Sequence, residues 1–353
     1  MTGRRGWKHI AVILSVISFS LLVLGGCGHA AADPEAAESG KSTGDGAPKI
    51  GIVFDSFVIE RWERDRDVFN STAKELGADV IVQNANGDAA VQAGMIDHLT
   101  ESGVKVIVVV ATDGNKLTEC VSRAHRAGIK VISYDRLVNN ADTDLYISFD
   151  NGAVGRYMAE VINDALPDGG NYIKVNGPST DYNVTLVNRG FDAAINSNIT
   201  LIDQAQCAAW NDEEAFKFLT ARPNDITNAD AIMCGNDSLA GQVVRALAER
   251  KRAGSVVVTG QDADLEACQR IVDGTQQMTV YKPIDELASR AARIAVQMAE
   301  GKTADVTETI NDGTYDIPYV SIAPVKVTRE NLDKVIIDSG FHLKEDVYLH
   351  AGY

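Results

Sequence analysis

Short aliphatic runs in this chain are followed again and again by Asp, Arg, Asn, Lys or Trp. Asp55, Glu60, Arg61 and Trp62 come after Lys49–Phe54, and Asp135 and Arg136 after Lys130–Tyr134. Residues 172–175 lead to Asn176, Asp181 and Asn183, and 201–205 to Trp210. Asn236 and Asp237 follow Ala231–Cys234, Gln261, Asp262 and Asp264 follow 255–259, and Lys282 follows Met278–Tyr281. Carboxylates accept hydrogen bonds, whereas Arg, Lys and Asn amides donate them. Arg does so as a charged fork. A Trp face offers a large, flat, apolar surface. Together these suit a polyhydroxylated ring, whose hydroxyls both donate and accept and whose C–H faces are apolar: a carbohydrate. Taken singly each residue is ordinary. Asp or Asn after a strand is commonly a cap or turn residue, and Trp62 or Trp210 a core or interface residue. The convergence carries the reading.

Positioning them requires strands, and the aliphatic runs supply ten: Lys49–Phe54, 80–83, 104–110, Lys130–Tyr134, Leu145–Phe149, 172–175, 201–205, Ala231–Cys234, 255–259 and Met278–Tyr281. Amphipathic patterns alternate with them over 64–76, 89–102, 115–127, 151–166 and 184–196, then 212–221, 238–250, 264–273 and 284–300. Runs such as Val-Ile-Val-Val-Val at 106–110 are apolar on both faces, as strands covered by helices on each side must be. The alternation predicts a doubly wound α/β architecture with parallel sheets, in which ligands bind beyond the carboxyl ends of the strands. Ten strands exceed one compact sheet and divide into two groups of five near residue 153. The pattern over 284–300 has no strand of its own, so the late segment must complete both halves. The expected lobes are 49–153 plus about 283–318, and 154–282 plus about 319–345.

Before them comes a different kind of segment. Arg4, Arg5 and Lys8 precede an apolar stretch over 10–24, then Gly25, Gly26 and Cys27. A basic start, a short apolar run and small residues before a cleavage point make a secretory signal, too short for a comfortable membrane span. Ending in Leu-x-Gly-Cys, it resembles a bacterial lipoprotein signal (1–26), with Cys27 the lipidated residue. The next stretch, 27–48, is poor in large apolar residues and suits a flexible tether. The expectation is a body held by a lipid anchor at the extracellular face of the cell membrane.

Without residues 1–26 the chain keeps 30 Lys and Arg against 49 Asp and Glu. Such an acidic balance argues against a nucleic-acid partner. Cys120, Cys207, Cys234 and Cys268 lack metal-ligand spacing, so neither a metal nor a cofactor is expected. They are read as buried free thiols, although an oxidising location permits a disulfide.

The stretches ERWERDRD at 60–67, QNANG at 83–87, YDR at 134–136 and YISFDN at 146–151 resemble the D-xylose-binding proteins of bacterial ABC importers. So do GND at 235–237, GQDADL at 260–265 and TVYKP at 279–283. The resemblance is collinear over roughly 49–343. It implies a type 1 periplasmic-binding-protein fold, two Rossmann-like lobes joined by a three-strand hinge and closing on one sugar. It also implies site roles for Arg61, Trp62, Asp135 and Arg136 in the first lobe, and Asp181, Asn183, Trp210, Asn236 and Asp262 in the second. Lys282 takes the hinge side. Partners would be a monosaccharide, D-xylose favoured, and an ABC permease with its ATPase, served by a monomer. Phe54-Asp55-Ser56-Phe57 and the bulky Tyr182 depart from the family pattern near the pocket, so glucose, arabinose and galactose stay open as ligands.

An enzyme is disfavoured: no strand end carries His, and no Ser sits in a nucleophile elbow. Arg and Lys neighbours would hold the carboxylates ionised rather than raise one for acid duty. A sugar-sensing co-receptor for a membrane histidine kinase or chemoreceptor stays open beside the transport reading. A repressor would need a DNA-binding motif where this chain has its signal.

Overall fold

The computed structural model describes residues 46–350. The signal, Cys27 and most of the tether lie outside the described residues. The chain begins with β1 (Lys49–Phe54), α1 (Arg61–Glu75), β2 (Asp79–Asn84), α2 (Ala89–Glu101), β3 (Val106–Val109) and α3 (Thr118–Arg126). β4 (Lys130–Tyr134), β5 (Leu145–Phe149), α4 (Asn151–Ala165), β6 (Gly170–Asn176), α5 (Tyr182–Ala194) and β7 (Ile199–Gln206) follow. Next are α6 (Glu213–Thr220), α7 (Pro223–Asn228), β8 (Ala231–Cys234), α8 (Asp237–Glu249), β9 (Val257–Thr259) and α9 (Leu265–Val272). The chain ends with β10 (Met278–Tyr281), α10 (Ile284–Ala299), β11 (Glu308–Asn311), β12 (Asp316–Ile322), β13 (Val325–Thr328) and α11 (Lys344–Val347).

Two sheets result, in the strand orders β11-β12-β5-β4-β3-β1-β2 and β13-β10-β9-β8-β6-β7. All pairings are parallel except β11 with β12 and β10 with β13. β3 is buried along its whole length, as a central strand under two helical layers must be. The edge strand β2 is half-exposed and alternates less cleanly.

The chain changes sheet three times, after β5, after β10 and after β12. α4 packs on α5 and reaches β9 and β10, so the second lobe begins with α4 at Asn151. α10 returns to lie on α1 and against β1, β3, β4 and β5. The expected late changeover near 318 falls inside β12, which stays whole in the first sheet to Ile322; the chain crosses at 323–324. Pro318 within β12 cannot donate to a ladder. The ladder with β5 begins only at Tyr319 opposite Tyr146, one residue past that Pro.

α4 and α5 meet backbone to backbone. A Cβ on Gly155 would sit 1.9 Å from the Val187 carbonyl oxygen, and one on Gly190 2.1 Å from that of Gly152. This close approach sets the angle from which the start of α5 enters the cleft. Gly190→Ala is expected to destabilise the protein by ~1–3 kcal/mol, the scale of overpacking. A lower denaturation midpoint at unchanged slope would register that loss, and an unchanged midpoint would mean the helices have room to part.

All four described cysteines are free and buried. Burial pushes the thiols up, Cys120 to about 11 and Cys207 to about 12. Among the described residues no His, Cys, Asp and Glu group is arranged to hold a metal ion, and no helix is long and apolar enough to cross a membrane.

Candidate ligand-binding site

Arg61 opens α1, directly after the β1 loop, and uses its whole fork. Its Nε and Nη2 bind Asp65 at 3.0 and 2.9 Å, and its Nη1 binds Asp135 at 2.9 Å. Asp65 lies one helical turn further on, the i,i+4 spacing that brings two helix side chains together, and also accepts from the Tyr134 hydroxyl. Burial works against the Arg61 charge, but Asp135 and Asp65 outweigh it and hold the guanidinium well above its ordinary value. The guanidinium lies 4.5 Å from the Trp62 ring and 5.2 Å from that of Phe149.

Asp135 takes a left-handed conformation at φ 60°, unusual for a residue with a Cβ. Its surroundings over-determine that geometry. Its carbonyl accepts from the Tyr146 hydroxyl, the Ser148 hydroxyl and the Asn183 amide at 2.9, 2.8 and 3.1 Å. Burial would raise the carboxyl, yet Arg61, Lys282 and Arg136 together hold it below the usual range. Arg136, the next residue, binds Asp55 through Nη1 at 2.7 Å and Asp181 through Nε at 2.9 Å.

The second lobe presents its groups from helix starts. Asp181 caps α5, accepting from the Asn183 backbone N–H at 3.0 Å, while its other oxygen takes Arg136. The cap role and the site role belong to one side chain. Burial raises the Asp181 carboxyl despite Arg136, so the expectation of uniformly lowered carboxylates holds for Asp135 and fails for Asp181. Asn183 donates to Asp135 Oδ1 at 3.1 Å and accepts from Tyr146 and Asn151, each at 3.0 Å. Asn236 caps α8 through its oxygen at 3.0 Å, which leaves its amide N–H groups free of that duty.

Asp262 is held at φ 100°, its backbone N–H bonded to the Val280 carbonyl at 2.9 Å. Lys282 Nζ comes within 2.9 Å of Asp262 Oδ1, near enough for an ion pair but out of line for a hydrogen bond. Trp210 follows Ala209, both with positive φ. A Cβ on Gly177 would meet the indole at 2.4 Å and one on Gly235 at 3.3 Å. The ring therefore lies down on backbone that only glycine can bare.

All ten sequence-derived residues are buried, and they come together where the strand ends of the two sheets meet. The lobes touch through Arg136 with Asp181 and Asn183 with Asp135. Trp62 is 2% exposed and covered by Arg61, Arg136 and Phe54, more a support beneath the two guanidinium groups than a bare wall. Around this crevice the Trp62 and Trp210 indole nitrogens, Asp262 Oδ1, Gln261 Oε1 and Asn151 Oδ1 are buried without a hydrogen-bond partner among the described residues. Natively buried polar atoms seldom stay so. A hydroxyl-rich ligand would satisfy both the donors and the acceptors among them.

The periplasmic binding protein domain family matches residues 50–303. The chain belongs to the periplasmic-binding-protein family. Its fold is the type 1 form, two α/β lobes with mixed sheets. The D-xylose-binding periplasmic protein of Haemophilus influenzae is 39% identical over 309 residues, spanning 85% of this chain and 92% of that one. The protein of the same name from Escherichia coli is also 39% identical, over 308 residues and the same shares of each chain. A solute-binding protein of Chloroflexus aurantiacus, solved with D-glucose, superposes with a TM-score of 0.77 at 27% identity, covering 85% of this chain and 98% of that one. One from Clostridium phytofermentans, solved with β-D-glucose, gives 0.76 at 27% over 85% and 99%. This is a family of binding proteins for transport rather than of enzymes.

Sequence reasoning missed several members of this periplasmic-binding-protein cleft. Asp65 was legible as the residue one turn after Arg61. Tyr146, Ser148 and Phe149 lie in the quoted YISFDN run, but their inward aim depends on β5 sitting between β4 and β12, a pairing that no local pattern reveals.

Proposed function

We propose that the protein captures a monosaccharide, D-xylose first, between its lobes and delivers it to an ABC permease. The observation that carries this is the set of buried donors and acceptors without partners among ion-paired Arg, Asp and Lys from both lobes. Arg61, Lys282 and Arg136 keep the Asp135 carboxylate ready to accept, and amide and indole N–H groups are ready to donate. The xylose choice is supported by the two relatives named for D-xylose; the glucose-bound structures make glucose the nearest competitor. In this reading Cys27 is lipidated and retains the body at the outer face of the membrane, and Cys27→Ser releases a folded, sugar-binding protein.

Calorimetric titration against a panel of aldoses is the test. D-Xylose should bind most tightly, and binding of no aldose would overturn the reading. Trp210→Ala should weaken binding by ~1–3 kcal/mol, the scale of lost aromatic packing. Gly177→Ala should reproduce much of that loss without altering the indole, because the added methyl displaces the ring. Wild-type affinity in both variants would remove Trp210 from the site.

A further inference from the structure

The cleft continues past the residues described above. Beyond Arg136 and Trp210 it widens into a cavity of about 750 Å³, lined from the loops after β1, β2 and β3 and from those after β6 and β7. These loops lie toward the β2 and β7 edges, away from the three crossings, which join the sheets near β5, β12, β10 and β13. The volume falls within the ~300–1,000 Å³ of pockets that enclose drug-sized ligands, and one pentose is far smaller than those.

The chemistry of this chamber repeats that of the inner site. Thr112 Oγ1 is buried there without a partner among the described residues. Asn86 receives a bond from Asn84 on its side-chain oxygen at 2.9 Å, and its side-chain N–H groups have no partner among the described residues. Lys116 Nζ has Asp113 at 3.5 Å and is otherwise free to donate. Phe57 and Trp210 add aromatic surface, and Trp210 belongs to the inner site as well. Lys116 and Arg136 set against Asp55, Asp88 and Asp113 leave the lining acidic by one charge, which disfavours a phosphorylated or otherwise anionic occupant. At the rim the Gly114 N–H reaches the Thr180 carbonyl from the other lobe at 3.4 Å, so part of the chamber wall forms when the lobes close.

We infer that this chamber is a second saccharide subsite, and that the protein takes short oligosaccharides with one ring in the inner site and the next in the chamber. The inference rests on the monosaccharide reading of the inner site and extends its substrate class. Trp210, shared by both spaces, is the wall at the glycosidic junction.

The test is calorimetry on the full chain with D-xylose, D-glucose and a panel of xylose- and glucose-containing disaccharides of different linkage. At least one disaccharide should bind within about tenfold of the monosaccharide and compete with it. The Lys116 side chain is 68% exposed, so substitution there leaves the core alone. Lys116→Trp, which fills the chamber, should weaken the disaccharide by about tenfold or more and the monosaccharide by less than about twofold. Lys116→Ala, which only withdraws a donor, should act in the same direction more weakly. Retained monosaccharide binding in both variants certifies their fold. Binding of monosaccharides with no disaccharide binding would make the chamber an entrance only and overturn the inference while leaving the inner site intact. A disaccharide unaffected by Lys116→Trp would also overturn it. If no sugar binds at all, the reading of the inner site fails and the second subsite falls with it.

Discussion

Arg136→Ala is expected to abolish measurable sugar binding and to destabilise the fold by ~3–5 kcal/mol, the cost of breaking a buried ion pair by removing one partner. Arg136 is 3% exposed and serves two carboxylates from different lobes, Asp55 at 2.7 Å and Asp181 at 2.9 Å. Removing it leaves both buried without that counter-charge. Burial already pushes Asp181 up against the opposing pull of Arg136, so the variant should raise it further. The pH dependence then has a definite sign. A carboxyl whose folded value lies above its unfolded one binds its proton more readily in the native state, and stability falls as pH rises between the two values. The loss in Arg136→Ala should therefore be larger at pH 8 than at pH 5, measured as the difference in Tm from the wild type. Arg136→Lys keeps the charge but loses the fork; it should recover stability more fully than affinity. A variant that binds sugar normally would take Arg136 out of the site, and a pH-independent loss would mean that the carboxylates find another cation.

Most of this arrangement could be read from local pattern because the site grows from strand ends. An apolar run followed by Asp-Arg or Gln-Asp locates a residue at the mouth of the sheet whatever the sheet's order, so Asp135, Arg136 and Asp262 were placed before any topology was known. Lys282 was placed in the same way, after Met278–Tyr281, and the resemblance of GQDADL and TVYKP then gave it the hinge side and pointed to the family. Strand order was not legible, since a run such as Val-Ile-Val-Val is buried equally well in any central position. The late strands were missed for a related reason. β11 is exposed along most of its length and β12 carries Pro318, so neither shows the apolar run that marked β1 to β10. Backbone strain was invisible too. Nothing in the letters says that Asp135, Trp210 and Asp262 have positive φ, because Asp and Trp do not announce that geometry as glycine does. Strain of this kind persists where surrounding contacts over-determine it, and it gathers at ligand clamps. Of the two tryptophans given site roles, one in each lobe, Trp210 rests on Gly177 and Gly235, whereas Trp62 is already covered by two guanidinium groups. The sequence treated them as equals, and packing separates them.

Sugar is expected to shift the lobes toward the closed form, with a smaller radius of gyration in small-angle scattering at saturating D-xylose than without it. Closure does not begin from nothing. Arg136 with Asp181 and Asn183 with Asp135 span the cleft directly, so contacts of the protein's own favour the closed form alongside those of the ligand. A ligand can move that equilibrium only by its differential affinity for the two states, and hinge closure around a ligand is one recurrent form of such a transition. The differential comes from contacts that need both lobes at once. Arg61 in the first lobe and Asp262 in the second supply opposite charges to the same space, and Asp262 adds to the pull on the Arg61 proton. One sugar can reach Asp135 and Oδ1 of Asp262 at the same time only when the lobes are together. Asp262→Ala and Arg61→Ala should each weaken binding by ~2–5 kcal/mol, the cost of truncating one side of a buried, charge-assisted contact. Asp262→Ala should also lose the change in radius, because a sugar held by the first lobe alone gains nothing from closure. Full occupancy with an unchanged radius in the wild type would sink the closing motion and leave a rigid pocket. A radius that still shrinks in Asp262→Ala would place the differential contacts elsewhere, with Asn236 and Lys282 the next residues to remove.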